Sequence, residues 1–236
     1  MRWVAVIWML AWVVSVAVGT GGCRLDLPEG QSPVAAMIGK LMPNRVAMGR
    51  EALYASLTSD DADLRREGVL ALGKGKWPNA PTTPELLGVF AMEDPDPLVR
   101  ATAVQSLAKL HGHPKMGEIL QAVSQDDSAL VRWEGVKALG AHAGSESLTI
   151  LLDRVASDAD ASVRAEAAGM LVAYRDLRGL RVLVQGMDDD SFQVSYRARQ
   201  SLRKLTGKDF EYDVLAWQSW LATAEEPFAT LAGDYH

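Results

Sequence analysis

Five segments of the chain align with one another without gaps, and this internal repeat constrains the fold more than any other feature. Each segment begins with an aliphatic residue and usually an arginine, has a small residue three positions after the arginine, and closes on leucine four positions later. The closing leucines are Leu72, Leu107, Leu139, Leu171 and Leu202, at spacings of 35, 32, 32 and 31 residues. A unit of this size cannot bury its own apolar face, so such units must stack against one another.

Each repeat is predicted to contain two helices separated by a tight acidic turn. The small residue lies on the same helical face as the aliphatic residues, which lets a neighbouring helix approach closely. These small residues are Gly68, Ala103, Gly135, Ala167 and Ala198. Aspartates precede every segment, at Asp60, Asp61, Asp94, Asp96, Asp126, Asp127, Asp158, Asp160 and Asp188 to Asp190. An aspartate here is expected to cap the helix that follows and to interact favourably with the positive end of the helix dipole.

A second amphipathic stretch lies upstream of each acidic turn and completes the helix pair. These stretches are residues 46–57, 84–92, 116–123, 148–156 and 180–187. The whole pattern resembles the HEAT-like repeats of the phycobilisome-lyase type, over roughly residues 46–205. The resemblance implies an all-α protein, a right-handed α-solenoid of about five helix pairs, to which we assign residues 44–205.

The chain after the last repeat is predicted to close the open end of the stack. The pattern Leu-Thr-Gly-x-x-Phe at 205–210, followed by a Trp-x-x-Trp helix, resembles the ending of bacterial extracytoplasmic HEAT proteins. Trp217 and Trp220 are three residues apart and therefore fall on one helical face. Because an open-ended solenoid requires a cap, we assign residues 206–236 to a capping helix and tail. The alternative is that the two tryptophans form an aromatic platform for a ligand.

The first part of the sequence has the pattern of an export signal. Arg2 precedes a stretch without charged residues that extends from Trp3 to Gly22, and this stretch ends in small residues. A positive start, an apolar middle and a small-residue cleavage region are typical of a signal peptide. An uncleaved transmembrane helix is an alternative, because roughly 20 apolar residues are enough to span a bilayer. Either interpretation places the remainder outside the cytoplasm, as does a plain secretory signal.

The only cysteine of the chain, Cys23, directly follows this stretch. The residues Thr-Gly-Gly-Cys at 20–23 resemble the cleavage site of bacterial lipoproteins. The resemblance implies that residues 1–22 are a lipoprotein-type signal peptide and that Cys23 carries lipid, with palmitate among the acyl chains. Two or more acyl chains give stable membrane anchoring, whereas a single chain is marginal. Residues 23–43 would then form the lipidated cysteine and a linker.

The polar residues of the repeats have structural explanations that compete with functional ones. The arginine column consists of Arg65, Arg100, Arg132 and Arg164. It is expected to pair with aspartates of the same or the adjacent repeat, although an anion-binding ladder is the alternative. The aspartates lack the glycine and the distant glutamate of a calcium-binding loop. His111, His113 and His142 follow predicted helix ends, and His-Glu pairs like those of metal-dependent HEAT hydroxylases do not occur. We therefore expect neither a metal nor a cofactor.

The sequence contains no recognisable catalytic motif. Neither a Gly-x-Ser-x-Gly sequence nor a phosphate-binding loop occurs. Some relatives of the phycobilisome-lyase type are chromophore lyases, but the resemblance concerns the repeat and not any catalytic residue. We therefore expect no catalytic residues and no enzymatic activity. The net charge of −6 also disfavours nucleic acid as a partner, because phosphate backbones attract basic proteins.

The surface of the second helices is the remaining candidate for a binding site. In HEAT stacks these helices line the concave side, and Trp133 and Tyr196 are predicted to point outward there. Aromatic residues and arginine are favoured interface anchors, although Trp133 packing over a neighbouring helix is the alternative. The predicted partner site is Trp133, Glu134, Glu166, Tyr196 and Arg197. A positive patch of Arg197, Arg199, Arg203, Lys204 and Lys208 suits an acidic partner but is too small for a nucleic-acid groove.

The sequence therefore predicts a lipid-anchored, non-catalytic scaffold that binds a protein or peptide in the bacterial cell envelope. Two alternatives remain at this point. One is an accessory subunit or lyase-like enzyme that acts on a bound cofactor, and the other is a purely architectural envelope protein.

Overall fold

The computed structural model describes residues 47–74, 83–110, 120, 124–142 and 144–229 of the chain. Within these ranges the protein contains ten α-helices and a short 3-10 helix, and no strand. None of these helices combines the length and the apolarity that crossing a membrane requires. The predicted signal peptide, Cys23 and the linker lie outside the described residues, as do His111, His113 and His236.

The helices follow one another in pairs, and the second helix of each pair packs against the second helix of the next. The first helices are α1 (Ala47–Leu57), α3 (Thr83–Glu93), α6 (Ser145–Ser157) and α8 (Leu177–Gly186), and the second helices are α2 (Ala62–Gly73), α4 (Pro97–Leu107), α5 (Ala129–Ala141), α7 (Ala161–Met170) and α9 (Phe192–Thr206). The 3-10 helix Leu171–Ala173 extends α7, and α10 (Val214–Thr223) follows the last pair. The stretch predicted at 116–123 lies outside the described residues, except for the buried Leu120.

This arrangement confirms the predicted fold class. The described residues form four helix pairs and the second helix of a further pair, and each second helix packs against the next. The leucines that close the repeats are all 2% exposed or less: Leu72, Leu107, Leu139, Leu171 and Leu202. One continuous hydrophobic core therefore runs along the α-solenoid, with every repeat covering the apolar face of its neighbour.

The acidic turns start most of the second helices, as predicted. Asp61, Asp96 and Asp160 each accept a hydrogen bond from the backbone N–H two residues further on, which satisfies one of the free donors at a helix start. The helices α5 and α9 begin instead after Ser128 and Ser191, whose side chains make no capping hydrogen bond. Aspartate capping is thus correct for three of the five second helices.

Small residues allow the second helices to approach one another closely. An added Cβ on Gly73 in α2 would lie 2.6 Å from the Cβ of Ser106 in α4. Gly140 in α5 is equally confined by the side chain of Met170 in α7. A side chain at Gly73 would therefore push α2 and α4 apart, whereas one at Gly140 would require the flexible Met170 side chain to move.

The last helix, α10, closes the apolar end of the stack. Trp217 is fully buried in the core, and its ring meets the edge of Phe210 at a centroid distance of 4.9 Å. Its indole N–H donates a hydrogen bond to the carbonyl oxygen of Glu211. Helix α9 ends at Gly207, whose φ of 69° lies in the left-handed region that favours glycine. The turn after Gly207 brings Phe210 beneath Trp217.

Candidate functional site

A ladder of arginine–aspartate pairs connects each repeat to the next. The pairs are Arg65–Asp94, Arg100–Asp126, Arg132–Asp158 and Arg164–Asp189, which we call the ladder. In every pair Nε and Nη2 of the guanidinium donate to the two carboxylate oxygens at 2.8–2.9 Å. This two-point geometry fixes the orientation of both groups. The arginine column therefore pairs with the aspartate of the following repeat.

Each ladder residue is also bonded within its own turn. The Nη1 group of Arg132, for example, donates to the carbonyl oxygens of Asp126 and Asp127, at the start of its own repeat. The carboxylate of Asp158 accepts the backbone N–H of Asp160 at 3.0 Å. The other three pairs repeat this pattern. Polar groups at the repeat boundaries are thus hydrogen-bonded, as burial requires.

The ladder ends where the described stack ends. Ser59 occupies the place of the ladder aspartate in the first turn, where its hydroxyl accepts the backbone N–H of Asp61. Ser195 occupies the place of the arginine in α9, where its hydroxyl donates to the carbonyl of Phe192. An unpaired arginine or aspartate at these ends would be desolvated without a partner, which is costly. The serine at 195 is therefore explained by its terminal position.

The ladder keeps its groups ionised. The hydrogen bonds that each ladder arginine donates to its aspartate raise the pKa of that arginine. The hydrogen bond from Arg164 lowers the pKa of Asp189. Burial alone would raise the pKa of Asp158, but the hydrogen bonds from Arg132 and from the Asp160 N–H outweigh it and hold this pKa below its usual range. Every ladder arginine is thus committed to structure and is not available to bind an anion.

Trp133 and Glu134 form one part of the predicted partner site, on α5, and the structure adds Lys137 to them. Trp133 is half-buried and packs against the core, so part of its ring remains exposed. The ammonium group of Lys137 lies 4.1 Å from the centroid of that ring and 3.1 Å from a carboxylate oxygen of Glu134. These contacts hold the exposed face of the tryptophan in one orientation.

Glu166 and Arg197 form a second part, across the contact between α7 and α9. Their charged groups approach to 3.9 Å, and the guanidinium of Arg197 passes close to Gly169. The side chain of Glu166 is mostly buried, whereas that of Arg197 is half exposed. The pair thus belongs to two adjacent second helices and leaves the cation accessible to a partner.

Tyr196 belongs to an aromatic group that the sequence interpretation had not assembled. Its ring centroid lies 6.0 Å from that of Phe192, which in turn lies 6.1 Å from that of Tyr212. The guanidinium of Arg199 stacks on Tyr212 at 4.9 Å. The predicted site did not include Phe192 or Tyr212. Phe192 could have been identified from the sequence, because it is an aromatic residue at the exposed start of a predicted helix. The predicted site residues therefore lie on three consecutive second helices, α5, α7 and α9, and their contacts form three separate groups.

Metal binding has no obvious location in the part of the chain that the structure describes. There, no three histidine, cysteine, aspartate or glutamate side chains converge in a way that could hold a metal ion. His142 lies at the end of α5, where its backbone N–H bonds the carbonyl oxygens of Ala138 and Leu139.

Comparisons with known proteins identify the same architecture. The family profile described as HEAT repeats matches residues 50–128 and 116–203. Among solved structures, the X-ray structure of YibA from Escherichia coli is 19% identical to this chain. That similarity covers 77% of each chain with a TM-score of 0.55, and at this identity it shows the fold alone. No curated protein matches the chain.

Proposed function

The chain belongs to the HEAT-repeat family, and on this basis we propose that it is a non-catalytic scaffold holding a protein or peptide partner on its second helices. The observation that carries this proposal is the surface of α5, α7 and α9, where Trp133, Tyr196 and Arg197 are accessible on helices joined by the ladder. Aromatic and arginine side chains contribute disproportionately to binding energy at protein interfaces.

The ladder supports this role because it makes the surface rigid before a partner arrives. Arg132 fixes α5 relative to the turn before α7, and Arg164 fixes α7 relative to the turn before α9. A surface whose parts are already in place loses less conformational entropy when it binds. The ion pairs of Glu134 and Glu166 further orient the exposed groups.

Capture from detergent-solubilised native envelopes tests this proposal. The Trp133→Ala, Tyr196→Ala double variant is expected to recover the partner at least about tenfold less than wild type, because two anchors are lost. Leu177→Ala is the control, because Leu177 is an apolar residue on a first helix that is 45% exposed, as Tyr196 is. Equal recovery of every protein by all three baits would contradict the proposal.

We further propose that this scaffold is tethered to the outer face of a bacterial membrane through lipid on Cys23, as the pattern of residues 1–23 indicates. Cells grown with radiolabelled palmitate are expected to label the wild-type protein and not a Cys23→Ser variant, because the thiol is the attachment point. A chain that is still labelled after the substitution would remove the lipoprotein assignment. Comparison of the mature masses of both proteins separates this outcome from an uncleaved membrane helix.

A further inference from the structure

The final second helix, α9, differs from the earlier ones on the face where a following helix would pack. At two positions of this face the earlier repeats have small or aliphatic residues, whereas the position of Tyr196 is occupied by Arg66, Ala101, Trp133 and Ala165. The positions equivalent to Arg199 are Val69, Val104, Val136 and Ala168, all 0% exposed, and those equivalent to Arg203 are Gly73, Ala108, Gly140 and Val172. In α9 the same face has Phe192, Tyr196, Arg199 and Arg203, which we call the end stripe. These residues follow a spacing of four, three and four and therefore share one side of the helix.

The end stripe is only partly covered by the segment that follows α9. The carboxylate of Asp209 accepts hydrogen bonds from Arg199 at 2.8 and 3.0 Å and lies 3.0 Å from Nε of Arg203. Tyr212 covers one side of Phe192. Phe192 nevertheless remains 71% exposed and Tyr196 45% exposed. An aromatic surface of this kind, next to arginines that already hold a carboxylate, has the chemistry of an interface.

The charge around the end stripe is opposite to that of the rest of the chain. Residues 191–208 contain five lysines and arginines and no acidic residue, so this segment has a formal charge of +5. The whole chain has a charge of −6, so the remaining residues together have −11. An open depression of about 300 Å³ at the end of α9 is lined by the exposed Lys204 and Lys208, together with Arg203 and the Asp209 carboxylate that pairs with it. A concentrated positive patch on an acidic protein selects partners of negative charge.

We propose that the end stripe, with Lys204 and Lys208 beside it, binds an acidic polypeptide segment that also carries aromatic or aliphatic side chains. The inference rests on the proposed scaffold function and names the chemistry of its partner. The equivalent face of every earlier repeat packs against a polypeptide helix. Arg199 already binds the carboxylate of Asp209 with two-point geometry, and Nε of Arg203 lies 3.0 Å from the same carboxylate. An anionic lipid surface fits less well, because the acidic remainder of the chain would be repelled from it.

A fluorescence anisotropy titration of the protein with a labelled peptide that alternates glutamate with phenylalanine and leucine tests the proposal. Wild type is expected to bind this peptide, and a peptide with lysine in place of glutamate is expected not to bind. The Phe192→Ser, Tyr196→Ser variant and the Lys204→Glu, Lys208→Glu variant are each expected to weaken binding at least about tenfold. All four side chains are exposed, so these variants should fold as wild type does, which circular dichroism checks.

Matched controls come from equivalent positions. Lys109, just after α4, occupies the same position in its repeat as Lys204 does in the last one, and Lys109→Glu reverses its exposed charge. Leu177→Ser removes an exposed apolar side chain on α8. Both are expected to bind the acidic peptide as wild type does. Absence of saturable peptide binding would overturn the inference, as would loss of binding in the controls. The inference would also be overturned if the protein bound phosphatidylglycerol vesicles but not the peptide, and if the end-stripe variants abolished the vesicle binding.

These outcomes separate the inference from the proposed function. If the acidic peptide does not bind while the Trp133→Ala variant still loses its captured partner, the scaffold function remains and the assigned chemistry is wrong. If the peptide binds at the end stripe but capture from envelopes is unchanged by Trp133→Ala, the inference on the end stripe remains and the site around Trp133 is wrong.

Discussion

Replacing Asp158 with alanine is expected to lower the free energy of unfolding by about 3 kcal/mol, because it leaves buried cations without their carboxylate. The Asp158 side chain is completely buried and accepts hydrogen bonds from Arg132 and Arg154. It also accepts the backbone N–H of Asp160 at the start of the next helix. The substitution therefore removes a link between two repeats and a local turn contact together. Urea denaturation followed by circular dichroism measures the loss.

The control for this variant is Asp153→Ala. Asp153 also pairs with Arg154, but its carboxylate is exposed, so its removal is expected to cost less than about 1 kcal/mol. In a stack whose repeats contact only their neighbours, weakening one boundary also lowers cooperativity. Hydrogen exchange in the Asp158→Ala protein is therefore expected to rise at α6 and α7 before it rises at α2 and α4. Equal losses of stability in the two variants would show that the ladder does not hold the repeats together.

Replacing Trp217 with alanine is expected to destabilise the protein by about 4 kcal/mol, within the range for loss of a large buried aromatic residue. Trp217 is the largest fully buried side chain in the described part of the chain. Its ring contacts the rings of Phe210 and Trp220, and its N–H bonds the carbonyl of Glu211. Truncation leaves a cavity beside the rings of Phe210 and Trp220. Thermal and urea denaturation measure this change.

Trp220→Ala provides the comparison for the capping helix. Trp220 is only partly buried, so the same truncation should cost less than half as much. If Trp217 works as an end cap, the loss of stability should also make the protein aggregate on heating, because the apolar end of the core becomes accessible. A Trp217→Ala protein as stable as Trp220→Ala would indicate that α10 contributes little to closing the stack.

The fold followed from the sequence because every repeat contains the same local information. Aliphatic spacing, an acidic turn and a small residue specify one helix pair, and stacking is then the only way to bury the apolar faces. The ladder partners were also implicit in the alignment. In each later repeat an aspartate, such as Asp94 or Asp158, stands six residues before the arginine position, and the structure pairs it with the arginine of the preceding repeat. From the sequence alone, each arginine could equally have paired with an aspartate of its own repeat.

The end stripe was less predictable because it depends on the path of the chain after α9. Phe192 and Tyr196 share a helical face, and that much is visible from their spacing. The contribution of Tyr212 depends on the left-handed Gly207 and on the Asp209 carboxylate, which turn the chain back over the helix. Contacts of this kind arise from tertiary packing and have no periodic signal. Trp133 was predicted to point outward, and the structure places it half-buried against the core because neighbouring helices cover part of its ring.

The affinity of the captured envelope partner for a set of purified variants tests the proposed binding surface most directly. Trp133→Ala and Tyr196→Ala are each expected to weaken binding at least about tenfold, which corresponds to the loss of an interface anchor. Leu177→Ala is expected to bind as wild type does, because it lies on a first helix outside the proposed surface. Wild-type affinity in both aromatic variants would contradict the claim that the second helices of this solenoid are its binding surface.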